Sequence, residues 1–242
     1  ALWTANLFIS DGHHKGLRRK LYQICAEDIG LGNPYLLSEL IKEDNWQVMV
    51  TKMCLSPKNR ETNRFHVITK YKPRYFVDKS ESTKAEARLL WNLLKASKEW
   101  VENKRSKEKK QTLEKLFDEL KVNNTVSPET IEDCKDTYIE LARAGTFSCD
   151  DILSLAVLLS TRNPEKTEVT VDEIPSMEEA KPVPQFALDR HTSYGKKLGR
   201  GWEHWEKEGV VVYPEVIYDS LKDENGTERY PHSEFMGILK KP

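Results

Sequence analysis

A basic, glycine-rich loop, GKKLGRG from Gly195 to Gly201, has the residue types of a phosphate-binding site. A Walker-type phosphate loop requires GxxxxGK followed by Ser or Thr, so that backbone N–H groups hold the phosphates and the hydroxyl reaches a metal ion. Neither this loop nor the rest of the chain has that order, so the sequence excludes ATP hydrolysis by these residues. Two interpretations of the loop remain. Lys196, Lys197 and Arg200 bind a nucleic-acid phosphate, or the glycines form a tight bend between helices.

Histidines are the next candidates for chemistry. His204 and Glu208 stand four residues apart, which suits a pair of metal ligands on one helix face. A metal site needs further ligands at known spacing and the sequence shows none, so we predict no metal and no other cofactor. His191, Thr192 and Ser193 offer the residue types of nucleophilic catalysis without a GxSxG or Cys/His signature. A small metal- or phosphate-dependent hydrolase using His191, His204 and Glu208 stays open as an alternative function.

A basic and aromatic stretch from Lys58 to Tyr75 has the composition of proteins that bind single-stranded nucleic acid. In such proteins the bases stack on aromatic rings while cations hold the phosphates. Lys58, Arg60 and Arg64 are the candidate cations at its start. A solvated surface with Tyr and Phe side chains turned inward explains the same pattern equally well.

Composition limits the classes of function. The 242 residues carry a net charge of -1 with a pI near 6.7, so any nucleic-acid binding must come from a local patch. No apolar run reaches the roughly 18 residues of a membrane span and no signal peptide is visible, so we predict a cytoplasmic protein without a membrane partner. The four cysteines form no CxxC pair, which favours reduced, buried thiols.

Apolar residues at intervals of three and four predict helices through most of the chain, including residues 1–9, 35–42 and 45–55. Ser127-Pro128-Glu129 and Ser148-Cys149-Asp150-Asp151 are predicted helix starts. Residues 152–159 are apolar almost all round, which predicts a central helix. Four prolines in residues 163–184 predict an extended crossing segment.

Two stretches carry more information than helical periodicity. LRRKLYQICAEDIGLGNPYL (17–36) is similar to a pattern in which two arginines and an apolar run lead into Glu-Asp-Ile-Gly-Leu-Ala-x-Pro. VPQFALDRHTSYGKKLGRGWEHWEKEG (183–209) is similar to a block with Asp-x-His-Thr-x-x-Gly-x-x-x-Gly-Arg-Gly before an aromatic helix. A third stretch, AVLLSTRNPEK (156–166), resembles an apolar helix ending in Pro-Lys-Ser, and LSPKNRE (55–61) is a rival for that element. On these residues, roughly a quarter of the chain, the protein resembles the C-terminal helical region of RarA/MgsA-type clamp-loader-like ATPases, especially short relatives without the ATPase module.

The resemblance implies a helical, collar-like domain of the kind that oligomerises and follows an ATPase module acting at stalled replication forks. No catalytic residue carries over, because the phosphate and metal motifs belong to that module, which would lie upstream of Ala1 or in a partner. Structural roles carry over to two groups of residues. Arg18, Arg19, Glu27, Asp28, Gly30 and Pro34 would form a helix and its stop, while Asp189, His191, Thr192, Gly195, Gly199, Arg200 and Gly201 would form the second motif.

We therefore predict an all-α, collar-like helical bundle with an extended Pro-containing crossing segment and a short irregular C-terminal tail. The helical domain spans 1–162, with 60–150 divergent or inserted; a linker spans 163–184, and a C-terminal helical motif and tail at 185–242 pack back on the first part.

The predicted function is a non-catalytic accessory domain of DNA replication or recombination that forms a homo-oligomer or binds an ATPase partner, and contacts DNA. The candidates for DNA or phosphate contact are basic residues: Arg18, Arg19, Lys58, Arg60, Arg64, Lys196, Lys197 and Arg200. A helical protein-interaction scaffold is a further alternative, which the balanced net charge favours.

Overall fold

A computed structural model describes residues 2–59, 61, 62, 65, 80–122, 126–146, 149–175 and 193–200. Helices make up 74% of the described residues and no strand occurs among them, which confirms the predicted all-α class. The chain divides into two compact units, Ala1–Ser176 and Met177–Pro242. The boundary falls inside the predicted crossing segment, of which the described part, residues 163–175, contains neither helix nor strand. The predicted C-terminal tail lies outside the described residues.

Eight α-helices follow one another in the described part of the first unit. They are α1 (Leu2–Ser10), α2 (His14–Ile24), α3 (Leu36–Lys42), α4 (Trp46–Leu55), α5 (Glu81–Glu102), α6 (Lys107–Val122), α7 (Pro128–Arg143) and α8 (Asp150–Thr161). Between α2 and α3 the chain forms a π turn, Cys25–Ile29, and a 3-10 turn, Gly30–Gly32. In the second unit the described residues form one short helix, α9 (Ser193–Lys197). None of the described helices is long and apolar enough to cross a membrane.

Side-chain caps determine where several of these helices begin. The Ser127 hydroxyl accepts a hydrogen bond from the Thr130 amide at 3.3 Å, with Pro128 in the first helical position, so the predicted start of α7 is confirmed. Asn45 caps α4 in the same way through the amides of residues 47 and 48. The start of α8 differs from the expectation, because its N-cap is Cys149, which makes no side-chain cap bond.

The centre of the first unit is α8, whose residues 151–160 are all buried. It packs against α5, α6, α7 and the π turn, so the predicted central helix is confirmed. The surrounding helices bury their largest apolar side chains, among them Trp100, Phe117 and Ile131, in the same cluster. Each such side chain stabilises the fold by about 1.5–3 kcal/mol. The described helices from the stretch interpreted as divergent or inserted therefore belong to the central core.

Three of the four cysteines belong to the same core. Cys25, Cys134 and Cys149 are buried, Cys54 is exposed, and all four are free thiols. Burial raises the pKa of the Cys149 thiol to about 12 and raises the pKa values of Cys25 and Cys134 as well. Thiols held in the neutral form are poor nucleophiles, so these three act as small apolar side chains.

A charged network at the end of α8 joins parts of the chain that are distant in sequence. The Arg162 guanidinium donates to Glu61 Oε1 at 2.8 Å through Nη2, and to Glu86 Oε1 and Oε2 at 2.5 and 3.1 Å. Glu86, on α5, is only 2% exposed. Partial burial opposes the charge of Arg162, but its contacts with Glu86 and Glu61 outweigh this effect and raise the pKa of the guanidinium. Arg162 thereby neutralises a buried carboxylate and ties α8 to α5.

We predict that Arg162→Met lowers the free energy of unfolding by about 3–5 kcal/mol, because it leaves the Glu86 carboxylate buried without its counterion. Urea unfolding followed by circular dichroism measures the loss, and adding Glu86→Gln should recover part of it. The matched control is Lys98→Met, which removes an exposed pair with Glu102 at 3.7 Å and should cost no more than about 1 kcal/mol. Equal losses in the two variants would contradict the structural role of Arg162.

Candidate functional site

The residues that carry the first resemblance form a compact turn between α2 and α3. We call residues 27–34 the EDIGLGNP turn. α2 ends at Ile24, the backbone continues as a π turn to Ile29, and the helical path stops at Gly30, which has φ +47°. The predicted stop is therefore confirmed, but the last turn before it is wider than an α-helix. Such π turns occur frequently at functional sites in proteins.

A second stretch of chain lies directly against this turn. We call its described residues, 56–59, 61 and 62, the 56–62 segment. The Asn59 amide donates to the carbonyls of Asp28 and Ile29, both at 3.1 Å. A Cβ atom at Gly32 would lie 2.5 Å from the Pro57 carbonyl oxygen, and one at Gly30 would lie 2.7 Å from that of Asn59. Only glycine allows the two backbones to approach so closely.

Buried polar side chains extend this junction to neighbouring elements. The Asn33 amide nitrogen donates to the Ser56 hydroxyl at 3.1 Å, and that hydroxyl donates to the Lys52 carbonyl of α4 at 2.8 Å. The Thr167 hydroxyl, beyond α8, donates to the Gly32 carbonyl at 3.2 Å. The EDIGLGNP turn thus holds α2, α3, α4 and the chain after α8 together.

Arg18 has a structural position on α2. Its Nη2 donates to the carbonyls of Ile41 and Glu43 at 3.1 and 2.6 Å, at the C-terminal end of α3. Its Nε donates to the Tyr22 hydroxyl at 2.7 Å and its Nη1 to Asp44 at 3.1 Å. Burial opposes the charge of Arg18, but the bonds to Tyr22 and Asp44 outweigh it and raise the pKa of the guanidinium. Four donated bonds leave this guanidinium little capacity for a phosphate.

Lys58 has a similar role at another helix end. Its Nζ donates to the carbonyls of Met53 and Ser56, where α4 ends. Cations at a helix C-terminus satisfy its free carbonyls and complement its dipole. Arg19 is half-buried, and its Nε lies buried with no hydrogen-bond partner in the described part of the chain. The predicted cations of the first unit are therefore not gathered on one surface: Arg18 serves α3 and Lys58 serves α4.

Other residues of the first motif are internal as well. Gly30 and Pro34 are buried, while Glu27 and Asp28 are half-buried and interact with other residues.

The described residues of the second motif, considered within their own unit, form a helix end. Tyr194, Lys196 and Lys197 are exposed on α9, and Gly195 is buried. Gly199 has φ +69°, its amide donates to the Lys196 carbonyl, and the Arg200 amide donates to the Gly195 carbonyl, both at 3.0 Å. This pair of bonds is a Schellman cap. The carbonyl end of a helix repels anions, so the geometry favours the tight-bend interpretation of the loop over phosphate binding.

Several predicted residues lie outside the described part of the chain. They are Arg60, Arg64, Asp189, His191, Thr192, Gly201, His204 and Glu208.

The described residues contain one cleft of note, between α1, α2 and α4. Its volume is about 230 Å³, and apolar side chains such as Leu17, Leu21 and Met49 form its floor. Arg18 and Asp44, at its rim, bond to each other. Within the described ranges no three His, Cys, Asp or Glu side chains are placed to hold a metal ion.

The partners of the EDIGLGNP turn were not identified from the sequence. Asn59 and Thr62 lie against the turn, but both stand in a stretch interpreted as nucleic-acid binding, and Arg162 reaches the same segment through Glu61. Arg162 offered one local signal, since it directly follows a helix that is apolar almost all round. A cation in that position bonds to the last carbonyls of the helix or to an acid, and the sequence does not indicate which.

We predict that Gly32→Ala lowers the free energy of unfolding by about 2–3 kcal/mol, because the new methyl group collides with a backbone carbonyl that cannot rotate away. Gly16→Ala is the matched control. Gly16 lies inside α2, where the nearest atom to its Cβ position is 3.8 Å away. Alanine there should raise stability by about 0.5–1 kcal/mol. Thermal or urea unfolding compares the two variants, and the same sign for both would show that the close approach at Gly32 is not required.

A second prediction separates the helix cap of Arg18 from its salt bridge. Arg18→Met should cost about 2–3 kcal/mol, because it leaves carbonyls at the end of α3 without their charged donor. Asp44→Asn removes only the salt bridge, and Asp44 is 98% exposed, so it should cost less than about 1 kcal/mol. Urea unfolding measures both losses. A loss with Asp44→Asn as large as that with Arg18→Met would contradict the capping role.

Comparison with known proteins identifies no relative. No family model, no curated protein and no solved structure matches the chain. The resemblance to RarA/MgsA-type ATPases therefore stays a prediction.

Proposed function

We propose that the chain is a non-catalytic accessory domain of DNA replication or recombination, which self-associates or binds an ATPase partner and contacts DNA. The observation that supports the proposal is that the residues of the EDIGLGNP turn make their contacts inside the domain. Its glycines and Asn33 hold four parts of the first unit together through internal contacts. A motif used for packing supports a role as a rigid platform rather than as a reactive centre.

The described chemistry supports the same interpretation. The buried thiols of Cys25, Cys134 and Cys149 are held in the neutral form, so they are unsuited to nucleophilic attack. Arg18, Lys58 and Arg162 direct their charges to carbonyls and carboxylates of the domain itself. Self-association, the ATPase partner and the DNA role come from the resemblance.

The hydrolase alternative depends on His191, His204 and Glu208, which lie outside the described residues. It predicts stoichiometric zinc or manganese in the purified protein, and metal analysis distinguishes it from the accessory domain. The scaffold alternative shares the rigid helical platform and differs only in having no affinity for DNA.

Two measurements on the intact chain test the proposal. Sedimentation velocity should show a species heavier than the 28.1 kDa monomer, or a shift to one on addition of an ATPase partner. Fluorescence anisotropy should show binding to a labelled 30-base-pair duplex at about 50 mM salt, with an affinity that falls steeply as salt rises, because released counterions drive such binding. A monomer that binds no duplex even at low salt would overturn the proposal, and an oligomer without DNA binding would support the scaffold.

A further inference from the structure

The connection between α5 and α6 carries a cluster of exposed basic side chains. Residues 103–106 form the connection, and Lys104, Arg105 and Lys107 are all exposed there. The Arg105 Nη2 atom donates to the Ala142 carbonyl at 3.2 Å, which brings the end of α7 beside the connection. Arg143, the last residue of α7, is also exposed. We call Lys104, Arg105, Lys107 and Arg143 the basic turn.

The basic turn differs from its surroundings in having no ion pairs. Neighbouring lysines are matched with acids on the same two helices, as in Lys98–Glu102, Lys109–Glu99 and Lys110–Glu114. Among the described residues, no carboxylate pairs with any of the four cations of the basic turn. Residues 98–110 carry six cations and three acids, a local excess of three positive charges in a chain whose net charge is -1.

The backbone of the basic turn is also unusual for its residue types. Lys104 and Arg105 have φ values of +52° and +59°, the left-handed region that favours glycine or asparagine. The dipoles at the ends of α5 and α7 favour cations nearby, but this gain is smaller than the cost of two consecutive left-handed residues. Lys107 begins α6, where the helix dipole disfavours a cation. Backbone held in a sparsely populated region often marks a functional site, and the side chains at this one are cations.

The chemistry of the basic turn fits the phosphates of duplex DNA. Lysine and arginine bind phosphate oxygens, and the basic turn offers four exposed cations to them. A surface for single strands needs aromatic rings on which bases stack. Among the rings in the described part of the first unit, Trp100, the one nearest along the chain to the α5–α6 connection, is buried, and the exposed Trp91 lies more than three helical turns back along α5. An anionic membrane surface would favour apolar side chains beside the cations, and in the described part of the chain Val101 is the one large apolar side chain exposed there.

We infer that the basic turn binds the phosphate backbone of duplex DNA. The inference rests on the proposed function and names the surface through which it operates. It moves the DNA contact away from Arg18 and Lys58, whose donors are engaged inside the domain, to a part of the chain that the resemblance does not cover.

The test uses the full chain and the same labelled 30-base-pair duplex. One variant replaces all four cations of the basic turn by glutamine. The matched control replaces four other exposed cations, Lys15, Lys20, Arg88 and Lys115, by glutamine and so changes the net charge equally. Thermal unfolding verifies that both variants fold. The basic-turn variant should bind at least about tenfold more weakly, and the slope of log K against log salt should decrease by about 3. The control should change affinity by less than about threefold.

The remaining outcomes distinguish the two proposals. Duplex binding that both variants retain, or lose equally, overturns the basic turn as the contact and leaves DNA binding by the domain intact. An intact chain that fails to bind the duplex overturns the inference together with the DNA role. Loss of binding to vesicles with about 30% anionic lipid, with unchanged duplex binding, would assign the basic turn to a membrane and overturn the inference as well.

Discussion

The contact between two stretches of backbone, the EDIGLGNP turn and the 56–62 segment, is the constraint on which the rest of the first unit depends. Gly30 and Gly32 allow the carbonyls of Pro57 and Asn59 to approach where any Cβ atom would collide. Other residues of the 56–62 segment bond to neighbouring elements. Its Ser56 bonds to Asn33, its Lys58 caps α4, and its Glu61 meets Arg162 at the end of α8. A single close approach therefore coordinates the ends of most helices around it.

The basic side chains discussed in the first unit are of two kinds, according to whether their N–H groups bond mainly to acceptors inside the domain. Arg18, Lys58 and Arg162 direct their N–H groups to carbonyls at helix ends or to a buried carboxylate. These bonds are shielded from water and replace groups that would otherwise lie unsatisfied, so they stabilise the fold. The basic turn is different, because none of its four exposed cations forms an ion pair among the described residues and only Arg105 donates to a carbonyl there. Charge of that kind contributes little to stability and is available to a partner.

In such a platform, the residues that stabilise the fold are different from those proposed to contact a partner. The core around α8 and the glycine junction hold the helices in place, and the connection between α5 and α6 is exposed at the surface of that base. The bond from Arg105 to the Ala142 carbonyl joins the basic turn to the end of α7 that carries Arg143. Preorganised charge binds a regular array of phosphates with less loss of side-chain entropy than a mobile tail would incur.

The sequence by itself determined the features that depend on neighbouring residues. Apolar spacing predicted the helices, Ser127 and Pro128 marked the start of α7, and the continuous apolar run identified α8 as central. The burial of Cys25 and Cys134 agrees with the helical patterns in which they stand, whereas Cys54, also in a predicted helix, is exposed. In each case the spacing of apolar residues or a capping residue predicts where a helix begins, where it ends or which face it buries. These signals are local, so they do not depend on contacts distant in sequence.

Only the tertiary structure decided what the charged residues do. Arg18 and Lys58 were predicted to bind phosphate because the sequence does not show which group accepts the hydrogen bonds of a basic side chain. Their acceptors are backbone carbonyls at the ends of α3 and α4. Every residue has such a carbonyl, so the sequence does not show which of them accepts a hydrogen bond. The acids of Arg162 stand 76 and 101 residues away along the chain, a separation that no spacing rule covers. Whether a charge faces inward or outward depends on which helix ends meet in space, and that is a property of packing rather than of local sequence.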